Sequence, residues 1–540
     1  MTAASSTETR LFTGEPDTLD VEHATGLAGL DQLRSSQQRC IDALLAGRDA
    51  VAVMPTGSGK SAIYQIAATI IHGPTLVVTP LLALVQDQQR SIAETELPPA
   101  MALDGNSSRS ERSDVLAALT KGATEFCFVT PEILADEEFV SRLAAIEVSL
   151  LVIDEAHCMV SWGHSFRPNY LALGDVRRGL GAPVTLALTA SADPRVRDDL
   201  VRMLSMTDPL VHVDQLGRFN IELDLRTSED RSAARRELVS YFAEDDRKAI
   251  IYAARRKDCE SLAEDLRSTG RHAFAFHGGL RTIEKAERAE SFRNDDGAVV
   301  VATTAFGMGV DIPDVAVVAH LDFPPTLVDY YQEIGRAGRD GEDARAVAFV
   351  GRRHRSRRAF AGGVRKVDVD DCARVIGAMA AGATSRRALV EKSSLTMGRV
   401  SRALTVLEMA EAVRSVPRLQ LLDASVSEER ITELCEQREN FDRSQIAAVE
   451  RYLSSSDCRW GQILAALGEA IDPCRKCDNC ETAGPQSTNP MVGRRVAHRK
   501  FGDGVVTGVS ENDATIAFDQ VGPRTLDLDL CLDQEIITLG

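Results

Sequence analysis

The sequence lacks long apolar runs and an excess of positive charge. Its 540 residues include 62 Lys and Arg against 80 Asp and Glu, which gives a formal net charge of −18. Because an acidic surface repels the phosphate backbone, bulk charge cannot bind nucleic acid, and only local basic patches are available for it. No stretch approaches the roughly 18 consecutive apolar residues of a membrane-spanning helix, so we expect no membrane partner.

The sequence also lacks a secretory signal, a disulfide framework and abundant aromatic residues. Residues 1–20 contain neither a basic region nor an apolar one, so we expect a disordered leader and a cytoplasmic protein. Most of the 11 cysteines stand singly in apolar segments, as Cys40 and Cys127 do, which indicates reduced, buried thiols. The length predicts three or four domains.

One segment has the order of strand, glycine-rich turn and helix that a phosphate-binding loop requires. It reads AVAVMPTGSGKSAIYQ, and residues 50–53 have strand character. We expect backbone N–H groups to face the phosphates, Lys60 to contact the β- and γ-phosphates, and Ser61 to bind Mg²⁺. The residues of the loop are Thr56, Gly57, Ser58 and Gly59. Met54 stands where the pattern G-x-x-x-x-G-K-[ST] has its first glycine, so a chance match is an open alternative.

A second buried strand, in VSLLVIDEAH, ends in two carboxylates. A parallel strand beside the phosphate loop would place Asp154 in the Mg²⁺ shell and leave Glu155 to orient and deprotonate the attacking water. For an isolated Asp-Glu pair, a solvated loop or a helix N-terminus is the alternative. Together, the two motifs predict hydrolysis of a nucleoside triphosphate.

Eight segments, in this order, make residues 21–350 resemble the RecQ-type DNA helicases of superfamily two. They are LRSSQQRCIDALLAGRD, MPTGSGKS, TPLLALVQDQ, FVTPEIL, DEAHCMVSWGHSFRPNY, LALTASAD, VVVATTAFGMGVDIPDV and YYQEIGRAGRDG. The resemblance implies ATP and Mg²⁺ as cofactors, with Gln37 reading the adenine. By the same resemblance, His157 and Thr189 would link the movements of two lobes.

The resemblance also implies that Arg336 and Arg339 approach the triphosphate from the second lobe, with Arg339 as the arginine finger. A surface salt bridge is the alternative for each arginine. The alternation of strands and helices predicts an α/β fold with two RecA-like parallel-sheet lobes, at 21–215 and 216–350. Because the second lobe has no phosphate loop, we expect ATP in the cleft between the lobes, whose opening and closing would be the motor stroke.

An aromatic stretch, CMVSWGHSFRPNY, follows the predicted Mg²⁺ ligand directly. Its members Trp162, His164, Phe166, Arg167 and Tyr170 combine ring faces that suit unstacked bases with cations that suit phosphates. In RecQ-type helicases this loop couples DNA contact to hydrolysis. A packed aromatic cluster is the alternative.

The composition changes beyond residue 350, where we expect a basic linker and a winged-helix-like region at 351–430. The run GRRHRSRRAF is either a phosphate contact or a solvated linker. The segment TSRRALVEKSSLTMGRVSRALTVLEMAEAVRSV predicts two amphipathic helices, followed by a short extended pair around Pro417. A helical packing module is the alternative to a winged helix.

Four cysteines predict a zinc module at 431–483. Cys458 opens a helical stretch, and Cys474, Cys477 and Cys480 follow at two-residue spacings, so four thiolates can close a tetrahedral Zn²⁺ site. Disulfides are the alternative. The arrangement resembles the RecQ zinc module, but familiar members place the winged helix after it, which puts a strand-separating role of the winged helix in doubt here.

After a linker at 484–490, residues 491–540 alternate apolar and polar side chains and predict a small β-barrel. We expect turns at Gly502–Gly504 and Glu511–Asp513. The segment resembles the Tudor-like C-terminal module of certain bacterial repair helicases. Such a module would recruit a protein partner such as RNA polymerase or a repair factor.

The resulting expectation is an ATP-dependent helicase that moves 3′ to 5′ on single-stranded DNA and separates tailed or forked duplexes in recombination or repair. Two other classes stay open. One is a DNA-stimulated ATPase that remodels protein–DNA complexes, and the other is an interaction protein that acts chiefly through its C-terminal barrel.

Overall fold

The computed structural model covers most of the chain. It describes residues 20–71, 73–80, 88–89, 92–105, 107–160, 170, 172–306, 312, 314–351, 367–414, 419–483, 491, 494–510, 513–518, 522–527, 531 and 536–539. Among these residues no helix is both long and apolar enough to cross a membrane. The expected leader and the basic run after Gly351 lie outside them.

The first lobe is built on a seven-stranded sheet in the order β3-β4-β2-β5-β6-β1-β7, and every recorded pair is parallel. The strands are Ala50–Val53 (β1), Thr75–Val78 (β2), Ala100–Leu103 (β3), Phe126–Val129 (β4), Leu150–Ile153 (β5), Val184–Thr189 (β6) and Leu210–Val213 (β7). Four central strands are buried along their whole length because helices cover both faces of the sheet.

Several helices of the first lobe begin at a residue whose side chain caps them. Ser108 and Glu111 form a capping box, and Asp193 caps a helix that has Pro194 in its first turn. The helices are Val21–Leu27 (α1), Ser35–Leu45 (α2), Lys60–Ile71 (α3), Arg109–Thr120 (α4), Glu137–Ala144 (α5), Leu173–Gly179 (α6) and Pro194–Met203 (α7). Short 3₁₀ turns occupy Ile133–Ala135 and Ala156–Met159.

The second lobe has a six-stranded parallel sheet in the order β10-β11-β9-β12-β13-β8. Its strands are Ile221–Ser228 (β8), Ala249–Tyr252 (β9), Ala273–Phe276 (β10), Val299–Ala302 (β11), Val317–His320 (β12) and Ala344–Gly351 (β13). Its helices are Arg231–Glu244 (α8), Arg256–Ser268 (α9), Thr282–Arg293 (α10) and Leu327–Ile334 (α11), with a 3₁₀ turn at Thr304–Phe306. The expected α/β class with two parallel-sheet lobes is confirmed, while the domain boundaries stay predictions.

A helical unit with a short antiparallel pair follows, as a winged helix requires. It comprises Val369–Ala380 (α12), Arg386–Ser393 (α13), Met397–Met409 (α14), Val413–Arg414 (β14) and Gln420–Leu421 (β15). Ser394, in the left-handed region at φ 56°, ends α13, and the Thr396 hydroxyl caps α14. The winged-helix-like region is confirmed, although Pro417 lies outside the described residues.

The cysteine-bearing region packs on the second lobe. It contains Glu428–Ser454 (α15), Arg459–Ala466 (α16) and Asp478–Ala483 (α17). Trp460 is fully buried, and its indole Nε1–H donates to the carbonyl of Ile221 at 3.0 Å. Its ring lies edge-on to Phe219 and Tyr331, at centroid distances of 5.9 Å and 6.5 Å. This region and the second lobe therefore share one core.

The C-terminal residues form a five-stranded antiparallel sheet in the order β19-β18-β17-β16-β20. Its strands are Arg495–His498 (β16), Gly502–Ser510 (β17), Asp513–Phe518 (β18), Gly522–Asp527 (β19) and Ile537–Leu539 (β20). Closure into a Tudor-like barrel stays a prediction, because β19 and β20 are the outer strands among the described residues.

The predicted turn at Gly502–Gly504 is wrong, because these residues begin β17. The chain turns just before them, where the N–H groups of Lys500 and Phe501 donate to His498 Nδ1 at 3.0 Å and 3.1 Å. A histidine side chain thus supplies the turn's hydrogen bonds, and Gly502, at φ 74°, only starts the strand. The other turn is predicted at Glu511–Asp513. Asp513 begins β18, and residues 511 and 512 lie outside the described ranges.

Candidate nucleotide and zinc sites

The predicted phosphate loop connects β1 to α3. Gly57 and Gly59 are left-handed, at φ 76° and 75°, a conformation that costs glycine little. A Cβ atom on Gly59 would lie 2.7 Å from Gln37 Nε2. Met54 is not left-handed, and its side chain is buried in the core of the first lobe, so the missing first glycine leaves the loop intact.

The Gln37 side-chain amide joins the start of α2 to the phosphate loop. Its Oε1 accepts from the Arg34 N–H at 2.8 Å, and its Nε2 donates to the carbonyls of Ser58 and Gly59 at 3.2 Å and 2.9 Å. The adenine-reading role stays a prediction. The contacts themselves show that Gln37 fixes the backbone of the loop.

Lys60 and the two carboxylates lie close together, and each is half-buried. The Lys60 ammonium donates to the carbonyls of Met54 and Pro55, both at 3.1 Å. Burial lowers the pKa of Lys60, against the opposing charges of Glu155 and Asp154. Burial raises the pKa of Asp154 to about 6, and the neighbouring Glu155 charge adds to the effect. A bound divalent cation would relieve this repulsion, and the Asp154 carboxylate with the Ser61 hydroxyl is a donor set that suits Mg²⁺.

Glu155 is held as an anion at the end of β5. Its backbone is left-handed at φ 49°, and its Oε2 lies 3.3 Å from Nδ1 of His157. Burial alone would raise its pKa, but the close contact with His157 and the charges of His157, Lys60 and Arg336 lower it to about 2. The carboxylate is therefore ionised at neutral pH.

His157 lies between Glu155 and residues of both lobes. Its Nδ1 lies 3.0 Å from the Thr189 hydroxyl, and its Nε2 lies 3.3 Å from Nε2 of Gln332 in α11. Gln332 also donates to the Ser191 hydroxyl at 2.9 Å. Gln332 stands in the quoted segment YYQEIGRAGRDG, yet nothing in its spacing showed that it reaches the first lobe.

The two predicted arginines follow α11, and Arg339 faces the phosphate loop. Arg339 Cγ lies 3.4 Å from the position that a Cβ atom on Gly57 would occupy. Arg336 contributes to the low pKa of Glu155, and among the described residues its buried Nε has no hydrogen-bond partner. The Thr56 hydroxyl donates to the Gly335 carbonyl at 2.9 Å, so the two loops touch directly. The donors converging here suit a triphosphate.

Most of the aromatic stretch lies outside the described residues, including Trp162, His164, Phe166 and Arg167. Tyr170 is described, and the expectation that it faces bases is wrong. Its side chain is fully buried, and its hydroxyl donates to the Asp154 carbonyl at 3.1 Å. The ring thus packs in the core behind the predicted Mg²⁺ ligand.

The four predicted zinc ligands come together. The sulfur atoms of Cys458, Cys474, Cys477 and Cys480 all lie within 4.8 Å of one another, and none of the four forms a disulfide. Sulfur atoms around one Zn²⁺ at ~2.3 Å lie roughly 3.8 Å apart, so the cluster fits the ion. Backbone N–H groups of Gly461 and Cys474 donate to Cys458 Sγ at 3.4 Å and 3.3 Å, which favours thiolates.

Family models match most of the chain in the order of these units. Residues 34–200 match the DEAD/DEAH box helicase family, and residues 232–341 match the helicase conserved C-terminal domain. Residues 367–417 match the DprA winged helix domain, and residues 420–481 match the RecQ zinc-binding family. The fold and the site thus define a two-lobed helicase of superfamily two.

Relatives narrow this class. The ATP-dependent DNA helicase RecQ of Synechocystis sp. is 34% identical over 84% of this chain and 96% of its own length. The chain belongs to the RecQ family of ATP-dependent DNA helicases, whose cofactors are ATP and Mg²⁺, and its cysteine cluster is the family's zinc site. A RecQ helicase of Pasteurella multocida is 37% identical over 61% of this chain, and the match spans only 52% of that relative, about half of its length.

A solved structure supports the fold alone. The Mycobacterium smegmatis helicase Lhr, bound to single-stranded DNA and AMP-PNP, is similar at a TM-score of 0.50 and 19% identity. The similarity covers 78% of this chain and 62% of that one.

Substitutions of Lys60 and Glu155 should impair ATP hydrolysis in different ways. We predict that Lys60→Ala abolishes ATP turnover and weakens nucleotide binding, because the phosphates lose a positive counter-charge. Glu155→Gln should retain nucleotide affinity but lose hydrolysis, because the amide cannot accept the proton. Titration with a fluorescent ATP analogue and a phosphate-release assay measure the two effects. Glu147→Gln, an exposed acid of the same lobe, is the control. If Glu155→Gln hydrolysed ATP at the wild-type rate, Glu155 would not be the general base.

Loss of one thiolate should unfold the zinc module. Zinc binding contributes about 10–16 kcal/mol of apparent folding free energy in small zinc peptides, so we predict insoluble or zinc-poor protein from Cys477→Ser. Metal analysis of the purified protein measures this. Cys435→Ser, a partly exposed cysteine outside the cluster, should keep its zinc. Reduced, folded wild-type protein without zinc would contradict the site.

Proposed function

We propose that the chain is a DNA helicase that hydrolyses ATP to move 3′ to 5′ along single-stranded DNA and to separate duplexes in recombination or repair. Its membership of the RecQ family supports this activity. The observation that carries the proposal is the contact of Gln332, from the second lobe, with His157 and Ser191 of the first, beside the ionised Glu155. Hydrolysis and lobe position are therefore linked through hydrogen bonds.

The chain's own groups account for hydrolysis. ATP with Mg²⁺, when bound, supplies the phosphoryl group to be transferred and the metal for which Asp154 and Ser61 are ligands. Lys60 offers a cation to the phosphate oxygens, and Arg339 adds a second one from the other lobe. Glu155, held by His157, takes the proton of the attacking water. These roles are proposals that rest on the geometry of the pocket.

The same contacts depend on closure of the cleft between the lobes. Gln332 can bond Ser191 and His157 only while α11 lies against the first lobe, so an open cleft breaks both bonds. Thr56 and Gly335 separate in the same movement. We propose that hydrolysis releases these contacts and that the release moves the lobes along the DNA.

The proposed substrates are single-stranded and tailed or forked DNA. The net charge of −18 requires a local binding surface, and the residues that we propose for DNA coupling are Trp162, His164, Phe166 and Arg167. A cytoplasmic location is part of this proposal. A protein partner such as RNA polymerase or a repair factor is proposed for residues 491–540.

A second candidate function is remodelling of protein–DNA complexes by a DNA-stimulated ATPase. One observation favours it. The winged helix precedes the zinc module, and Arg414 in its wing lies 3.7 Å from Asp175 in α6 of the first lobe. A wing in contact with the motor is not free to split a duplex in the way that a wing beyond the zinc module could.

Strand displacement separates the two candidates. We expect the wild-type chain with ATP and Mg²⁺ to unwind duplexes that carry a 3′ tail or a fork, and to leave blunt or 5′-tailed duplexes intact. The labelled displaced strand is measured on native gels, and Glu155→Gln is the inactive control. ATP hydrolysis stimulated by single-stranded DNA without any displacement would favour remodelling.

The aromatic loop should transmit DNA occupancy to the ATP pocket. We predict that Trp162→Ala and Arg167→Ala keep nucleotide binding and the melting temperature but lose most of the DNA stimulation of hydrolysis. Tyr170→Ala is the matched control, because loss of a buried ring costs about 3–5 kcal/mol of stability. A melting temperature lowered by Trp162→Ala, with unchanged stimulation, would assign Trp162 to packing.

A further inference from the structure

Arg218 lies in the segment that joins the two lobes. This segment runs from the end of β7 at Val213 to the start of β8 at Ile221. None of the motifs in the sequence includes Arg218, and its side chain is only partly exposed. Its guanidinium reaches the point where the phosphate loop meets the loop that carries Arg336 and Arg339.

The guanidinium donates hydrogen bonds to main-chain carbonyls of both lobes. Nη1 lies 3.1 Å from the Thr56 carbonyl and 3.4 Å from the Gly335 carbonyl. Nη2 lies 3.1 Å from the Ala337 carbonyl and 2.5 Å from the Gly338 carbonyl. One side chain therefore joins the phosphate loop to three carbonyls of the arginine-bearing loop.

These carbonyls belong to the peptides that place the reacting groups. The Thr56 carbonyl is part of the peptide that carries the Gly57 N–H, and the Gly338 carbonyl is part of the peptide that carries the Arg339 N–H. Because C=O and N–H of a trans peptide point in opposite directions, Arg218 turns both N–H groups away from itself. It thereby fixes the backbone from which the Arg339 side chain extends to Gly57.

Asn220 holds the same loop from within the second lobe. Its Nδ2 donates to the carbonyls of Gly338 and Glu342, both at 2.9 Å. Gly338 is left-handed at φ 56°, and a Cβ atom there would lie 2.5 Å from Asn220 Nδ2. Asn220 therefore fixes the loop without reference to the first lobe. Among the described residues, Arg218 bonds the phosphate loop, whereas Asn220 bonds only carbonyls of the second lobe.

We propose that Arg218 is a positioning residue for ATP hydrolysis that sets Arg339 against the phosphate loop when the cleft closes. The proposal rests on the ATP-hydrolysing function proposed above and deepens it. Arg218 needs no contact with the nucleotide. It requires a planar fork that can donate to several carbonyls at once, which a lysine ammonium on a flexible stem cannot reproduce.

Steady-state kinetics test the role. Arg218→Ala and Arg218→Lys should both lower kcat for ATP about tenfold or more while KM and nucleotide affinity change less than about threefold, because a misplaced group costs rate rather than binding. Arg226→Ala is the matched control. Arg226 is a partly exposed arginine of β8 that bonds Asp224 at 3.0 Å and lies over Tyr241. Full kcat in Arg218→Lys would overturn the proposal.

A double-mutant cycle separates positioning from general support of the fold. If Arg218 acts through Arg339, then Arg218→Ala should have little further effect on kcat in an Arg339→Ala background. Multiplied losses in the double mutant, together with a lowered melting temperature of Arg218→Ala, would show a merely structural role and overturn the proposal.

Hydrogen exchange tests the restraint without hydrolysis. In the nucleotide-free full chain, amides of residues 335–342 should exchange faster in Arg218→Ala and Arg218→Lys than in the wild type, and at the wild-type rate in Arg226→Ala. Unchanged exchange would overturn the proposal even if the wild-type chain hydrolyses ATP. A wild-type chain that fails to unwind DNA would instead refute the proposed helicase function and leave these comparisons valid.

Discussion

The contact between the phosphate loop and the arginine-bearing loop is the constraint on which the rest of the structure depends. It joins residues of two separately folded sheets, through the Thr56 hydroxyl and the Gly335 carbonyl at 2.9 Å. A pocket for a triphosphate needs several cations, and Lys60 of the first lobe lies beside two carboxylates. The second lobe completes the pocket only when it is held at the right distance and angle.

The zinc module contacts the segment that joins the two lobes. Its Glu469 accepts from the Leu216 N–H at 3.1 Å, in the segment between the lobes. The Leu216 carbonyl accepts from the Tyr331 hydroxyl of α11 at 2.9 Å. Trp460 fills the space beside the same segment and bonds Ile221. The segment between the lobes, which carries Arg218, is therefore held between α11 and the zinc module.

Sequence patterns predicted the parts of the site that are local in the chain. The loop around Lys60, the Asp154–Glu155 pair and the cysteine cluster each depend on short spacings and on one strand or helix, and the parallel sheets follow from buried strand runs. Contacts that form only when the two lobes dock leave no such spacing pattern in the sequence. Arg218 and Thr56 are far apart in sequence, as are Gln332 and His157, and only the docking of the lobes brings them together. The turn before Gly502 is local, but its predicted position is wrong, because the His498 side chain supplies its hydrogen bonds and the glycines that marked it belong to β17.

The order of the modules gives the winged helix a mechanical link to the second lobe. Helix α15 has 27 residues and is therefore about 40 Å long. Near its start, Ile431 and Leu434 pack in the winged-helix core. Near its end, the ring of Tyr452 packs against the rings of Phe323 and Tyr330 of the second lobe, at centroid distances of 5.3 Å and 5.5 Å. One continuous helix thus packs in the winged-helix core at one end and on the second lobe at the other. Cleft opening would therefore shift the winged helix relative to the first lobe, against the Arg414–Asp175 pair, so that the same movement that separates Thr56 from Gly335 is transmitted to the wing.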